Sequence, residues 1–409
     1  MADPITWYTL AKAVDDTTSI DEEIDALVLT HNLDPSAHGQ ENESVYEHRA
    51  SALLDHLSYS IYNIKTNPAA RIYKAIVGTG AEADFTTIQQ AIDWANLYGG
   101  GTVFIKAGTY NISSDITLYS NITLLGEDDD LTILDFGASS ASIQAVGTSG
   151  THKKSITLEH LGFKNGENED QLIFLKYVDD VVIEQCKFSH DNPTITILTS
   201  WISTDAGCNR IFIRENQFLS GPKYLNLNLV NRCWILENYF FNCQRDMIVG
   251  GGGSHVIIRN NVFENARLNI SYTGAIFIET DIVNLHIEGN QFINCRGGAI
   301  FLSNMVRSLV IDNRIDGSAD TDYGINLYLC MRCTVVSNNI DNVNQAGIYA
   351  FDSDKNNITG NTCTNCDDSG VNIDGAACDK NLVLGNVLTD NGTALKDTGT
   401  GTVKDHNVT

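Results

Sequence analysis

Ile213-Arg-Glu-Asn-Gln-Phe218 and Ile287-Glu-Gly-Asn-Gln-Phe292 are two copies of one template, apolar–x–x–Asn–x–apolar. Working outward from them places Asn216, Asn238, Asn261, Asn290, Asn313, Asn338, Asn361 and Asn386 in one column, separated by 22, 23, 29, 23, 25, 23 and 25 residues. Leu158-Glu-His-Leu-Gly-Phe163 and Ile183-Glu-Gln-Cys-Lys-Phe188 continue the register upstream, with Leu161 and Cys186 in the asparagine position. A repeat of about 24 residues is the period of a solenoid. An asparagine at a bend tolerates left-handed backbone angles, and its amide can bond to the asparagine one turn away. The eight asparagines are therefore expected to form a structural ladder.

A second column follows the first. Gly274-Ala-Ile-Phe-Ile-Glu279, Gly298-Ala-Ile-Phe-Leu-Ser303, Gly324-Ile-Asn-Leu-Tyr-Leu329, Gly347-Ile-Tyr-Ala-Phe-Asp352 and Gly370-Val-Asn-Ile-Asp-Gly375 are short alternating strands opened by glycine. Two or three such strands per repeat, stacked about 4.8 Å apart, make a parallel β-helix. The fixed leucines and intervening helix of a leucine-rich repeat are absent. Before the solenoid, residues 83–101 have the pattern of one amphipathic helix. Thr86 and Gln89 stand at capping-box spacing, Ile88, Ala91, Ile92 and Ala95 make one face, and Gly99 ends it. The expected fold is all-β: a single-stranded right-handed parallel β-helix over 102–392, a linker and capping helix over 76–101, a small helical N-terminal domain over 1–75 and a tail over 393–409.

Composition narrows the class. The chain has 409 residues, 43% hydrophobic, and a formal charge of −25 from 26 Lys+Arg against 51 Asp+Glu. That charge disfavours sequence-independent nucleic-acid binding, which depends on neutralising phosphates. No apolar run reaches the ~18 residues of a membrane span, and the first residues lack the basic and apolar segments of a secretory signal. Cys330/Cys333 and Cys363/Cys366 have knuckle-like gaps, but 29 residues separate the pairs. Zinc knuckles sit closer, at roughly 15–20. Reduced, packed thiols are the expectation for all ten cysteines.

Asp84-Phe-Thr-Thr-Ile-Gln-Gln-Ala-Ile92, Gly100-Gly-Thr-Val-Phe-Ile-Lys-Ala-Gly-Thr-Tyr110 and the asparagine column together resemble the right-handed parallel β-helix superfamily of pectate lyases, polysaccharide hydrolases and bacteriophage tailspikes. The resemblance covers roughly residues 77–392 and implies that the opening helix plugs the solenoid end. It transfers no catalytic residue. Asn-Thr-Asp, Gly-His-Gly and Arg-Ile-Lys of the pectin hydrolases are absent, as is Asp-Pro-His-Glu of the alginate epimerases. Asp-Asp occurs at Asp179-Asp180 and Asp367-Asp368 without its companions.

The first 75 residues point to a biological setting. Ser19 to Leu29 and residues 44–63 have helical patterns, and Leu53, Leu57, Ile61 and Ile64 form a stripe suited to packing between subunits. The stretch His31-Asn-Leu-Asp-Pro-Ser-Ala-His38 is similar to one that recurs in phage tail-fibre proteins. This resemblance implies a homotrimeric virion tail spike or fibre, assembled in the host cytoplasm, joined to other virion proteins through residues 1–75 and recognising a host surface polysaccharide. The alternatives are a polysaccharide-degrading enzyme, hydrolase rather than lyase, and a cellular adhesin or surface-array protein, either of them extracellular. His31, His38, His48 and His56 in this region are assigned ordinary polar roles rather than a metal site.

Period-two alternation supplies the candidate site. With Ile348, Ala350, Val371 and Ile373 inward, Asn326, Tyr328, Tyr349, Phe351, Asn372 and Asp374 face outward. Aromatic rings stack on sugar faces while Asn and Asp bind hydroxyls, so Tyr328, Tyr349, Phe351, Asn326 and Asn372 are the glycan-binding candidates. Outward Ile276, Ile278, Ile300 and Leu302 would instead favour a subunit contact. Asp352 and Asp374, on consecutive turns, are the catalytic candidates, one as general acid and the other as base or nucleophile, because glycosidase carboxyls stand roughly 5–9.5 Å apart. No cofactor or resident metal is expected, calcium on these carboxylates with Asp354 being the one exception considered.

Overall fold

The computed structural model describes residues 74–409 apart from 167–170, 193–199, 267–273 and 281. The N-terminal expectations, namely the helical stripe, the four histidines and the Asp34-Pro-Ser-Ala-His38 stretch, lie outside the described residues.

Each turn of the solenoid carries three strands, shown by Gly298–Ser303 on a first face, Leu309–Ile311 on a second and Arg314–Asp316 on a third. Successive turns pair in parallel on every face. The third face is an 11-stranded sheet. The first and second faces form one 24-stranded sheet, because Lys223–Leu236 and Ile248–Arg259 carry hydrogen bonding round the corner between them.

The interior follows from alternation. Ile276, Ile300, Ile325, Ile348 and Val371 are in register on the first face, and all are buried. Ile278 and Leu302 are in register in the next inward column and are buried too. The expected outward aliphatic column is thus corrected: these four side chains belong to the core, and the outward positions are Phe277 and Phe301. The support that column gave to a subunit contact disappears with it. On the third face Phe163, Phe188, Phe218, Phe240, Phe263 and Phe292 form a continuous buried stack with centroids 4.6–4.8 Å apart. These are the closing apolar residues of the template, so one repeat position builds one column of the core.

The corner between the second and third faces holds the ladder. Asn216 donates from both its backbone N–H and its Nδ2 to Oδ1 of Asn238, at 3.0 Å each. The same double donation repeats from Asn290 to Asn313 and from Asn361 to Asn386. Nδ2 also reaches back to a carbonyl of the turn before, as from Asn290 to Ile258. Every ladder asparagine is thereby satisfied while buried. The left-handed residue, however, is the one before the asparagine: Glu215, Glu237, Asn260, Gly289, Asp312, Ser337, Gly360 and Gly385 have φ of 54–63°. The asparagine itself serves the ladder and leaves the conformational burden to its predecessor.

At the ends the solenoid exceeds its expected bounds. Lys74–Val77 pairs with Gly101–Ile105, so a strand precedes the capping helix. Leu395–Asp397 and Val403–Asp405 add further strands within the segment read as a tail. Asn407 extends the ladder by accepting from both nitrogens of Asn386. Helix α1 spans Ile88–Leu97 and buries Ile88, Ala91, Ile92 and Ala95, the expected face. The capping box does not form, since no side chain caps the helix. Gln89 instead clasps the backbone of Thr117, accepting from its N–H at 2.7 Å and donating to its carbonyl at 3.3 Å. That contact gives an open strand edge a partner.

All ten cysteines are free and buried. Cys186 occupies a ladder position and donates its N–H to Asn216 Oδ1, and Cys333 does the same to Asn356 in a shorter second ladder continued by Asn381. Burial pushes the Cys295 thiol up to about 12, which keeps it protonated and inert. Among the described residues no helix is long and apolar enough to cross a membrane.

Candidate functional site

The candidate residues gather on the C-terminal half of the first face, where Tyr323–Tyr328, Ala346–Phe351 and Ser369–Asp374 lie side by side. Register puts Asn326, Tyr349 and Asn372 in one outward column and Tyr328, Phe351 and Asp374 in the next. Tyr328 and Phe351 stack in parallel at 5.5 Å with an interplanar angle of 2°, and Tyr349 lies 6.2 Å from Phe351. The aromatic cluster runs further than expected, through Phe301, which is itself buried. Phe301 adjoins Tyr328 at 6.4 Å, Phe277 adjoins Phe301 at 5.1 Å, and Tyr323 stacks on Tyr349 at 4.9 Å. The Phe residues were hidden by the wrong alternation phase at Ile276 and Ile300. Alternation aligned on Tyr349 would have found them.

Asn326 departs from expectation. It faces outward in register but is only 2% exposed, and its Oδ1 has no hydrogen-bond partner. In its column it lies between Phe301 and Tyr349, whose rings leave a short amide no route to solvent. It underlies the surface rather than presenting itself to a sugar.

Asp374 and Asp352 occupy adjacent turns. Phe351 pairs with Asp374, and the N–H of the next residue, Asp352, donates to the Asp374 carbonyl at 3.0 Å. The Asp374 carboxylate accepts from the Tyr349 hydroxyl at 2.9 Å and from Thr398 Oγ1 at 3.2 Å. Those two donors fix its orientation beside the aromatic surface. Asp352 has a left-handed φ of 45°, and its Oδ1 lies where a Cβ on Gly375 would come within 2.2 Å. Glycine at 375, itself at φ +103°, is what lets that carboxylate lie against the next turn. Thr398 was absent from the sequence reading because it falls within the segment read as a tail.

Other acidic groups are committed elsewhere. Asp180 forms a two-pronged pair with Arg210, at 2.5 and 2.8 Å, which holds its carboxyl below the usual range. Asp179 accepts from Asn209 at 2.8 Å and lies 3.1 Å from His152 Nδ1. This Asp-Asp pair therefore braces a corner. Asp354 pairs with Lys355. Among the described residues the carboxylates that converge on a point are Asp128, Asp129 and Asp130, not Asp352, Asp354 and Asp374.

The comparisons with known proteins agree with this architecture. Residues 74–300, more than half of the chain, match the family model described as rhamnogalacturonase A/epimerase, pectate lyase-like. The chain belongs to this family. Residues 209–409 also match the model of the periplasmic copper-binding protein NosD. Within that span the described His, Cys, Asp and Glu side chains bring no three ligand atoms together. They do not fit a copper centre. No curated protein matches the chain.

Among solved structures, the A-module of mannuronan C-5 epimerase AlgE6 from Azotobacter vinelandii is similar, with TM-score 0.57 and 16% identity over 78% of this chain and 93% of that one. A mannuronic acid-specific family 6 polysaccharide lyase from human gut microbiota has TM-score 0.55 and 14% identity, covering 80% of this chain and 82% of its own. The family 6 alginate lyase AlyGC has TM-score 0.60 and 14% identity, covering 82% of this chain and 51% of its own. At these identities the likeness is one of fold.

Proposed function

We propose that this family member binds an extended polysaccharide along the C-terminal half of its first face and modifies it there. The observation that carries the reading is Asp374, held by Tyr349 and Thr398 beside the stacked rings of Tyr328 and Phe351. Aromatic rings offer flat apolar area for sugar faces, and an oriented carboxylate can take a proton from a bound sugar or a water. Asp374 acts as base or nucleophile, Asp352 supplies the second carboxyl, and Asn372 binds a hydroxyl. The similar solved structures are named as lyases and epimerases, which supports chemistry on the chain rather than adhesion alone. Action on an exported polymer also favours a periplasmic or extracellular location.

The test is incubation of the full chain with a panel of polysaccharides, followed by ultraviolet absorbance for unsaturated ends, a reducing-end assay, and proton NMR for epimer ratio. Product from the native chain that falls at least about a hundredfold in Asp374→Asn and tenfold in Tyr349→Phe is the expected result. Turnover unchanged in Asp352→Asn and Asp374→Asn removes this site.

A second reading rests on Asp34-Pro-Ser-Ala-His38. In it the same surface belongs to a homotrimeric virion tail spike, attached through residues 1–75 to other virion proteins. Imaging of a particle with this chain resolved at its tail would establish that reading, and a monomer of 44.8 kDa by light scattering would oppose it.

A further inference from the structure

Most corners of the solenoid turn through a residue with left-handed backbone, a conformation best met by glycine or asparagine. The corner between the third and first faces obeys that preference, with Asn242, Asn265, Asn294, Asn342 and Asn365 at φ of 50–61°. The corner between the first and second faces does not. Beside a second left-handed position that includes Leu329 and Asp352, and after Asn121, Ser155 and Asp180 on the early turns, its left-handed residues are Arg210, Arg232 and His255, then Asn284, then Arg307, Arg332, Lys355 and Lys380, these eight at φ of 53–61°. Strand register makes these eight residues successive members of one column. Backbone bonds confirm it, from Arg307 N–H to the Met331 carbonyl and from Arg332 N–H to the Asp354 carbonyl, each 3.1 Å.

From Arg210 to Lys380 the column holds six of the chain's 26 lysines and arginines and no acid, in a protein of net charge −25 with 51 acidic residues; one turn earlier it carries Asp180, which pairs with Arg210. The backbone requirement is the same as at the asparagine corner, so the fold does not explain the choice. Like charges on neighbouring strands work against the fold. Arg210, Lys355 and Lys380 are offset by Asp180, Asp354 and Asp379. Arg232, Arg307 and Arg332 are exposed, and among the described residues no carboxylate pairs with them. Arg307 and Arg332 stand on consecutive turns, about 4.8 Å of axial rise apart.

We propose that this corner is a binding ridge for a linear acidic polysaccharide lying parallel to the solenoid axis, its anionic groups meeting one cation per turn. The rise per turn approximates the length of one hexose in an extended chain, and guanidinium groups suit carboxylate and sulfate oxygens alike. The proposal stands on its own column of residues and requires no catalysis on the first face.

The test is affinity electrophoresis of the full chain in gels containing polygalacturonate, chondroitin sulfate, inorganic polyphosphate or neutral dextran. The ridge variant combines Arg307→Asn with Arg332→Asn, asparagine being compatible with the backbone as Asn284 shows. The control, Arg296→Asn with Arg314→Asn, removes two arginines that pair with Asp320 and Asp316 away from the ridge. Retardation by polygalacturonate or chondroitin sulfate that weakens with salt, and weakens at least about tenfold further in the ridge variant alone, is the expected result. Whichever of the two binds tighter identifies carboxylate or sulfate as the anion. Equal weakening in both variants, no weakening in the ridge variant, retardation by polyphosphate alone, or no polyanion bound would each overturn the proposal. Loss of turnover in Asp374→Asn with the retardation intact would separate the ridge from the proposed catalytic face.

Discussion

At the corner between the second and third faces, glycine, asparagine or another short or acidic residue takes the left-handed angle, and the next side chain is a buried asparagine bonded to the turns on either side. At the corner between the first and second faces, from Arg210 to Lys380, an arginine, lysine or histidine takes that angle on every turn but that of Asn284 and projects toward solvent. The backbone problem is one and the same, so the difference lies in what each corner is for. The first holds the solenoid together by satisfying buried polar groups. The second carries charge that the fold does not need and is free to meet another molecule.

The largest effect is expected on the interior beside the ladder. Phe263 stacks between Phe240 and Phe292 at 4.8 Å on both sides. Phe263→Ala should lower stability by about 3–5 kcal/mol, read from the urea midpoint. Asn290→Ala comes next. It removes the acceptor for both Asn261 nitrogens and the donor to the Ile258 carbonyl. About 2–3 kcal/mol should be lost, since buried groups are left unpaired. A loss under about 0.5 kcal/mol would mean that the ladder is not what secures the corner.

Asp246 sharpens the contrast, because its Oδ1 is buried with no partner. Burial pushes its carboxyl up to about 6, against the pull of Lys223 and Arg245. The folded chain therefore holds this proton more tightly than the unfolded chain. Its contribution to stability is full below the ordinary carboxylate range and is lost as pH rises through about 6. Relative to the native chain, Asp246→Asn should gain about 1–2 kcal/mol between pH 4 and pH 7. An identical pH profile for the two would refute the assignment. The smallest effect is expected at the ridge, where Arg307→Asn with Arg332→Asn should leave stability unchanged or raise it by about 0.5 kcal/mol. A loss above about 1 kcal/mol would make these arginines structural and weaken the comparison.

Much of the fold was legible because its period is written in side chains that do one job. The ladder asparagines and stacked phenylalanines recur at one repeat position, and burial enforces both. The ends were less legible. Asn407 and Thr398 follow a shortened repeat, and Gln89 found a strand edge that no local pattern announces. The phase at Ile276 and Ile300 failed because Ala-Ile-Phe-Ile is apolar at every position, leaving alternation nothing to contrast. The cationic column was legible too: its members keep the ladder's own spacings of 22, 23, 29, 23, 25, 23 and 25, each standing a fixed distance before a ladder asparagine. It is easily passed over because no single residue type recurs in it, and strand register then confirms that Arg307, Arg332 and Lys355 are aligned.

The most direct test of the account is a crystal structure of the full chain with an acidic octasaccharide. The account predicts a sugar chain parallel to the solenoid axis, between the aromatic surface of Tyr328 and Phe351 and the cations of Arg307 and Arg332. A sugar chain lying instead on the third face or along the asparagine corner would contradict it.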